Sequence, residues 1–365
     1  MPVLKWKLGE QTAIKPLSAM QKSQLLPVAE LQDRPVNWET DEYSKSWDDH
    51  IDAVVKKTVT HWGKSLEIGF DQNLTSDDGL VSGPGTVWAY LFNQLWGAGV
   101  QAVPVLSSRA SAAGVAAIVA ASKSAGRTRY ILRYRLAPPV EDVPAPMISP
   151  AEVTKWLKTV QKATGVPASE LDVAFDCGHV GQWDLTERAP WVADVIAAIN
   201  AAASWRRIFL VSGGFPKNLA GVPKGTHQIL RHDWALFRTA SPLIHSKGCE
   251  ARFGDYAISH IDPFDADPRL LKMSANLRYT QADQWFILKA GSVQDKGFGQ
   301  YRDLCKLLVG LPIYLGKKFS HGDKNYNDIA VGAVEGPGNA THWRRDSTNH
   351  HVHVVLRQLT GGTLP

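Results

Sequence analysis

Only three cysteines occur in 365 residues, Cys177, Cys249 and Cys305, and they stand far apart with no CxxC pair. That spacing excludes a disulfide framework and a zinc ribbon, and it makes a reducing cytoplasm the expected compartment. No run of about 18 apolar residues occurs, so no segment is expected to span a membrane. The opening Met1-Pro-Val-Leu-Lys-Trp-Lys has no apolar signal-peptide core. Neither GxGxxG nor GxxxxGK followed by Ser or Thr is present, which removes the usual dinucleotide and P-loop fingerprints. Dense basic tracts are missing as well. Lys plus Arg exceed Asp plus Glu by 40 to 35, a net charge of +5, which gives mild attraction to anions and not the coat of a dedicated nucleic-acid binder.

What is present starts with Arg127-Thr-Arg-Tyr-Ile-Leu-Arg-Tyr-Arg-Leu136. Strand alternation puts Arg129, Ile131, Arg133 and Arg135 on one face and Tyr130, Leu132 and Tyr134 on the other. An unpaired guanidinium in a dry core costs several kcal/mol, so the arginine face should meet acids or anions. The plainer alternative is an edge strand with its arginines in water.

Around this stretch, strand and helix patterns alternate. Strands are expected at 3–8, 26–31, 65–71, 102–106, 127–136, 171–176, 207–212 and 251–258. Between them lie helices at 47–62, 86–96, 111–124, 149–165, 191–203 and 227–237. The helix from 149 begins with Ser149-Pro-Ala-Glu152, a capping box with proline in the first helical position. Helix-to-strand joints are short, whereas the strand-to-helix stretches 72–85, 137–148, 177–189 and 213–225 are long and polar or Pro/Gly-rich. This asymmetry fits an α/β fold of the TIM-like (β/α)8 barrel type over residues 1–270, whose C-terminal face carries function. Closure requires strand 3–8 to pair with 253–258; a doubly wound open sheet is the alternative. After residue 270 the rhythm breaks into strands at 276–280 and 285–288, a helix at 300–308 and a strand at 351–356. We read 271–365 as a C-terminal α+β extension packed on the barrel mouth.

Polar residues at the C-terminal strand ends are Lys5, Lys7, Glu30, Asp71, Arg133, Arg135, Asp176, Ser212, Asp255 and Tyr256. Two readings compete: an anion-binding pocket doing proton transfer, and a salt-bridge lattice that neutralises itself. No residue stands out as catalytic nucleophile or base, and no cofactor is named. A second cluster comprises Phe319-Ser-His-Gly-Asp323, Trp343-Arg-Arg345 and Asn349-His-His-Val-His353. From it and the preceding strand, Arg278, Tyr279, His321, Asp323, Arg344, His350 and His351 are expected beside the charged pocket. If 351–356 is a strand, His351 and His353 share a face and a metal pair with Asp323 can be drawn. Hydrogen-bonded histidines and Asp323 anchoring a turn are the commoner arrangement, so no metal is expected. Trp62, Trp156 and Trp234 fall at helical core spacing, and Ser212-Gly-Gly-Phe is a weak phosphate-cradle signal without a suitably placed lysine.

Several of these stretches together resemble the beta protein family, named for a protein of T-even-type phages and found also in prophages and bacterial genomes. They are Leu4-Lys-Trp-Lys with Gly9-Glu10, Pro27-Val-Ala-Glu-Leu31, Phe253-Gly-Asp-Tyr-Ala-Ile258, Leu277-Arg-Tyr-Thr280, Gln300-Tyr301 with Leu304-Cys305, Phe319-Ser320 with Gly322-Asp323, and Trp343-Arg344 with Asn349-His350-His351. The resemblance implies a setting, phage and host in conflict with antiviral defence or counter-defence as the context, and assigns no residue a catalytic role. Two classes remain open. One is a recognition protein binding a protein or nucleic-acid or nucleotide partner at the charged mouth; the other is a barrel enzyme acting on a small anionic or phosphorylated substrate.

Overall fold

The structure, a computed structural model, describes residues 1–72, 81–82, 85–136, 144–263, 272–362 and 364. The chain separates into two compact units, and neither is one continuous stretch. Met1–Trp6, Leu25–Gly213 and His232–Tyr256 make the first; Lys7–Gln24, Gly214–Arg231 and Ala257–Pro365 make the second.

In the first unit eight parallel strands form a nearly closed barrel flanked by helices. They run in chain order: Val3–Leu4, Val28–Glu30, Ile68–Asp71, Ala102–Ser107, Tyr130–Arg135, Leu171–His179, Arg207–Gly213 and Arg252–Asp255. The seam is joined by a parallel bridge between Pro2 and Asp255, with the Asp255 amide donating to the Met1 carbonyl at 3.1 Å. Helices form where apolar residues recur at helical spacing beneath a cap. Ser46 accepts from the Asp49 amide and starts Trp47–His61, which buries Ile51 and Val54. Ser149 caps Pro150–Thr164 and left-handed Gly165 (φ 72°) stops it. The expected capping box is not made: Ser149 caps through the Ala151 amide instead of the Glu152 amide, while Glu152 accepts from the Tyr134 hydroxyl at 2.9 Å. The long loops expected at 72–85 and 137–148 lie largely outside the described residues.

The barrel interior is close-packed below its polar end. A Cβ on Gly69 would stand 2.9 Å from Ile131 Cδ1 and 3.1 Å from both Val105 Cγ2 and Val28 Cγ2. Four strands thus meet at one level with no room for a methyl group. Gly69→Ala is expected to destabilise the barrel by about 1–3 kcal/mol through overpacking, read from the urea midpoint. An unchanged midpoint would mean that this layer can yield.

The second unit is built on an antiparallel sheet in which Gln284–Ser292 lies between Gly225–Leu230 and Ser274–Thr280. Its core gathers Leu277, Tyr279, Leu288, Tyr301, Leu304 and Trp343. The helices Leu8–Ile14, Gln300–Gly310, His321–Ala330 and Ala340–Leu359 belong to it. Three sequence expectations are corrected here. The strand at 351–356 is part of the helix Ala340–Leu359, started by Asn339, whose side chain accepts from the Thr341 and His342 amides. The short alternation His351-Val-His-Val misleads, because buried Trp343, Ser347, His350 and Val354 repeat at helical spacing. The helix expected at 227–237 begins only at His232. Before it, Gly225–Leu230 pairs as a strand, with His227 and Ile229 half-buried and their neighbours exposed, a period of 2. Finally, the strand at 3–8 stops at Leu4: Trp6 takes φ 53°, and Lys7 caps the helix that starts at Leu8.

Candidate functional site

The fifth barrel strand ends in Leu132-Arg-Tyr-Arg135, the second and third strands end in Glu30 and Asp71, and the sixth carries Asp176. Register sets Arg133 opposite Ala174 and Arg135 opposite Asp176, while Glu30 pairs with Asp71 across the second and third strands. Strand alternation points Arg133 inward. Its guanidinium is 1% exposed and gives all five of its N–H donors to this unit. Nε and Nη2 reach Asp176 Oδ2 at 3.0 and 2.7 Å, Nη1 reaches Glu30 Oε1 at 2.9 Å and Asp71 Oδ2 at 2.6 Å, and Nη2 also donates to the Tyr256 hydroxyl. Tyr256 in turn donates to Asp176 Oδ2 at 2.6 Å. Lys5 Nζ meets Glu30 Oε2 at 2.6 Å, and Arg135 Nε lies 3.6 Å from Asp176. Lys5, Arg133 and Arg135 surround the Tyr256 ring at 5.2, 5.7 and 6.0 Å from its centroid.

Three cations therefore face three carboxylates, Glu30, Asp71 and Asp176, all buried. Burial alone would raise the Glu30 carboxyl, yet Lys5, Arg133 and Arg135 bring it from 4.5 down to about 2. Asp176 behaves alike: burial raises it, and Arg133 and Arg135 outweigh burial to hold it below the usual carboxylate range. Burial drives the Tyr256 phenol well above its ordinary value, so it stays protonated and can donate.

A carboxyl held below its unfolded value stabilises the fold above that value and loses the contribution as pH falls towards the folded one. For Glu30 the window runs from 4.5 down to about 2. The expected result is a Tm that falls as pH drops through that window, with a shallower fall in Glu30→Gln. Parallel profiles for the two proteins would remove Glu30 from the acid response.

The other expected residues are distributed as follows. Lys7 is exposed at the head of its helix and belongs to the second unit, so it does not share a strand face with Lys5; the turn at Trp6 separates them. Asp255 sits at the barrel seam in register with Ser212. Ser212 and Gly213 lie in the ladder of the seventh strand, so no loop cradle forms there. Trp62 and Trp234 are buried, and Trp156 is half-buried against the Tyr134 ring. Arg129, on the same strand face as Arg133, binds at the opposite end of the barrel. It reaches Asp172 at 2.9 Å and Glu67 at 3.0 Å, where Arg207 also meets Asp172 at 2.7 Å. Sequence reading missed this second lattice, although Asp172 and Arg207 begin their strands as Arg129 precedes its own. At the N-terminal face such a cluster serves stability.

In the second unit, Tyr279, Asp323 and His350 come together. Tyr279 donates to Asp323 Oδ1 at 2.7 Å, His350 Nδ1 is 2.8 Å from Asp323 Oδ2, and Ser320 donates to the same oxygen at 2.5 Å. Tyr279 also stacks on His350 with centroids 3.9 Å apart. Burial would raise Asp323, but the His350 contact and these hydrogen bonds bring it below its usual range. His351 bonds Thr280 Oγ1 at 2.9 Å, and His353 bonds the Asn349 carbonyl at 2.9 Å. On a helix those two histidines point in different directions, so the pair drawn from strand alternation does not form. Among the described residues no group of three or more His, Cys, Asp or Glu is placed to hold a metal ion. His321 is exposed at the start of its helix. Arg278 and Arg344 form a separate group on the Ile258 carbonyl.

Residues 1–357 match the family model described as Beta protein. No curated protein matches the chain. Among solved structures it is similar to a beta-mannanase from Streptomyces thermolilacinus, at 12% identity over 70% of this chain and 76% of that one, with a TM-score of 0.38. It is also similar to a triosephosphate isomerase from Bartonella henselae, at 15% identity over 70% of this chain and 92% of that one, with a TM-score of 0.36. At these scores the likenesses bear on neither activity nor substrate. No helix among the described residues is long and apolar enough to cross a membrane.

Proposed function

The chain belongs to the beta protein family, and on that footing we propose that it is a recognition protein, binding a macromolecular partner over the charged mouth of its barrel. The setting is phage and host in conflict, as the family resemblance implies. The observation that carries this reading is the saturation of Arg133 by Glu30, Asp71, Asp176 and Tyr256. General acid–base work near neutral pH needs a group that titrates there, and Glu30 and Asp176 are instead pinned in their ionised forms. The network fixes the side chains at the C-terminal ends of the second, third, fifth and sixth strands. The loop after the second strand folds back as the hairpin Val36–Asn37 and Glu42–Tyr43. It presents Trp38, 37% exposed, and Tyr43, 45% exposed, with the Arg34 guanidinium 3.7 Å from the Tyr43 ring centroid. Tryptophan, tyrosine and arginine are the residues that dominate binding energy at protein interfaces, which favours a protein partner over a nucleic acid.

The test is capture on the immobilised full chain from phage-infected cells, with protein, nucleic acid and small molecules all analysed. Capture of one protein that is lost with Trp38→Ala or Tyr43→Ala supports the reading; a nucleic acid lost with the same changes makes the partner a nucleic acid. The second reading, an enzyme acting on a small anionic or phosphorylated substrate, draws on the position of Lys5, Arg135 and Asp176 at C-terminal strand ends. Turnover of such a substrate that Asp176→Asn abolishes while folding is retained would replace recognition with catalysis.

A further inference from the structure

The two arginines of the second unit that sequence reading assigned to the working surface have surroundings opposite to those of Arg133. Arg278 Nη1 and Arg344 Nη1 both donate to the Ile258 carbonyl, at 2.9 and 3.4 Å, so two guanidinium groups converge on one oxygen. Both side chains are half-buried. Among the described residues neither has a carboxylate within ion-pair distance, whereas Arg133 alone engages three. Glu10 is linked to Arg344 through a hydroxyl. Arg344 Nη1 donates to Ser259 Oγ at 2.9 Å, and Ser259 donates to Glu10 Oε1 at 3.1 Å.

Both cations are held in place by neutral groups. Arg278 lies 4.6 Å from the Phe215 ring centroid, with Nε 3.4 Å from Asn276 Oδ1. The stem of Arg344 runs across Gly9, where a Cβ would stand 2.8 Å from Arg344 Cγ and 3.1 Å from the Thr341 carbonyl. Helix Leu8–Ile14 can lie against helix Ala340–Leu359 at this point only because residue 9 has no side chain. Burial first, and then Arg344, push Arg278 well below the ordinary arginine value; burial likewise lowers Arg344, opposed by Glu10. Guanidinium does not give up its proton at these pH values, so the physical meaning is a repulsion that the fold carries and an anion would relieve. Among the described residues the Nη2 groups of both arginines make no hydrogen bond, and they have the fork geometry that matches tetrahedral oxyanions.

We propose that Arg278 and Arg344 form a binding site for a phosphate group, free or carried by a nucleotide, with Ser259 beside it. The site belongs to the second unit and does not rest on the recognition reading of the barrel mouth.

The experiment is isothermal titration of the full-length chain, prepared without phosphate, with inorganic phosphate and with AMP. One site is expected, with each of Arg278→Gln and Arg344→Gln weakening it roughly 10-fold to 100-fold, as for the loss of charged hydrogen bonds. Tighter binding of AMP makes the source a nucleotide, and equal or weaker binding makes it the free anion; both support the site. No heat from either ligand at millimolar concentration, or equal affinity in the parent and the double variant, overturns it. Should the double variant fail to fold by circular dichroism, the parent decides. A saturable rise in its Tm with phosphate, and none with chloride at equal ionic strength, supports the site, while equal effects of the two salts refute it.

Discussion

Arg133→Ala is expected to destabilise the barrel by about 3–5 kcal/mol, because it leaves three buried carboxylates without the cation that joins them. The effect is that of breaking a buried ion pair and is larger than the net worth of the pair, since Glu30, Asp71 and Asp176 would still face one another, with Lys5 engaged by Glu30 and Arg135 beside Asp176. Lysine should not rescue the loss. One ammonium with three donors cannot reproduce five donors shared among Glu30, Asp71, Asp176 and Tyr256. Urea denaturation at neutral pH checks both variants. The destabilised Ala variant should also regain stability relative to the parent as pH is lowered and the stranded acids become protonated. A loss within experimental error of zero would mean that water takes over the role of the guanidinium and that the network is not a structural hub.

Deleting residues 271–365 is the second change with a large expected effect. The strand Gly225–Leu230 would lose Gln284–Ser292, its pairing partner along six residues from Gly225 to Leu230. The helix Leu8–Ile14 would lose helix Ala340–Leu359, to which it is tied by the Asn349 side chain donating to the Ala13 carbonyl at 2.8 Å. Buried Phe215, Ile258 and Ala13 would be stripped of their surroundings, since Trp285 and Ile287 go with the deleted part. What remains of the second unit cannot bury a core of its own. The expected outcome is a chain that aggregates or melts well below the parent and has lost its phenotype in a phage challenge. A truncated chain that stays soluble and melts like the parent would show these contacts to be dispensable.

The eight-strand rhythm was legible because local chemistry writes it: caps such as Ser46 and Ser149, stops such as Gly165, and period-2 or helical apolar spacing between them. The polar strand ends were legible for the same reason, since alternation alone puts Arg133, Arg135, Asp71 and Asp176 on inward faces. Alternation could not tell which end of the barrel an inward arginine serves. Arg129 and Arg133 share a face in the sequence, yet one binds Asp172 and Glu67 and the other binds Glu30, Asp71 and Asp176. Their positions along the strand separate them, Arg129 just before its first residue and Arg133 near its C-terminal end.

The misses have a common cause as well. Trp6, at φ 53°, ends the first strand early and sends Lys7 into the second unit, a backbone choice that no propensity for tryptophan announces. His351-Val-His-Val alternates over too few residues to outweigh the helical repeat of Trp343, Ser347, His350 and Val354, which becomes visible once their burial is known. The pairing of Arg278 with Arg344 joins positions 66 residues apart on a strand and a helix, through a carbonyl that carries no side-chain signal. The sequence by itself therefore determined the barrel, the alternation of most of its elements and the charged ends of its strands, because those follow from the order of neighbours along the chain. Tertiary structure decided which charges meet carboxylates and which meet neutral groups, because that depends on register and on contacts between distant segments.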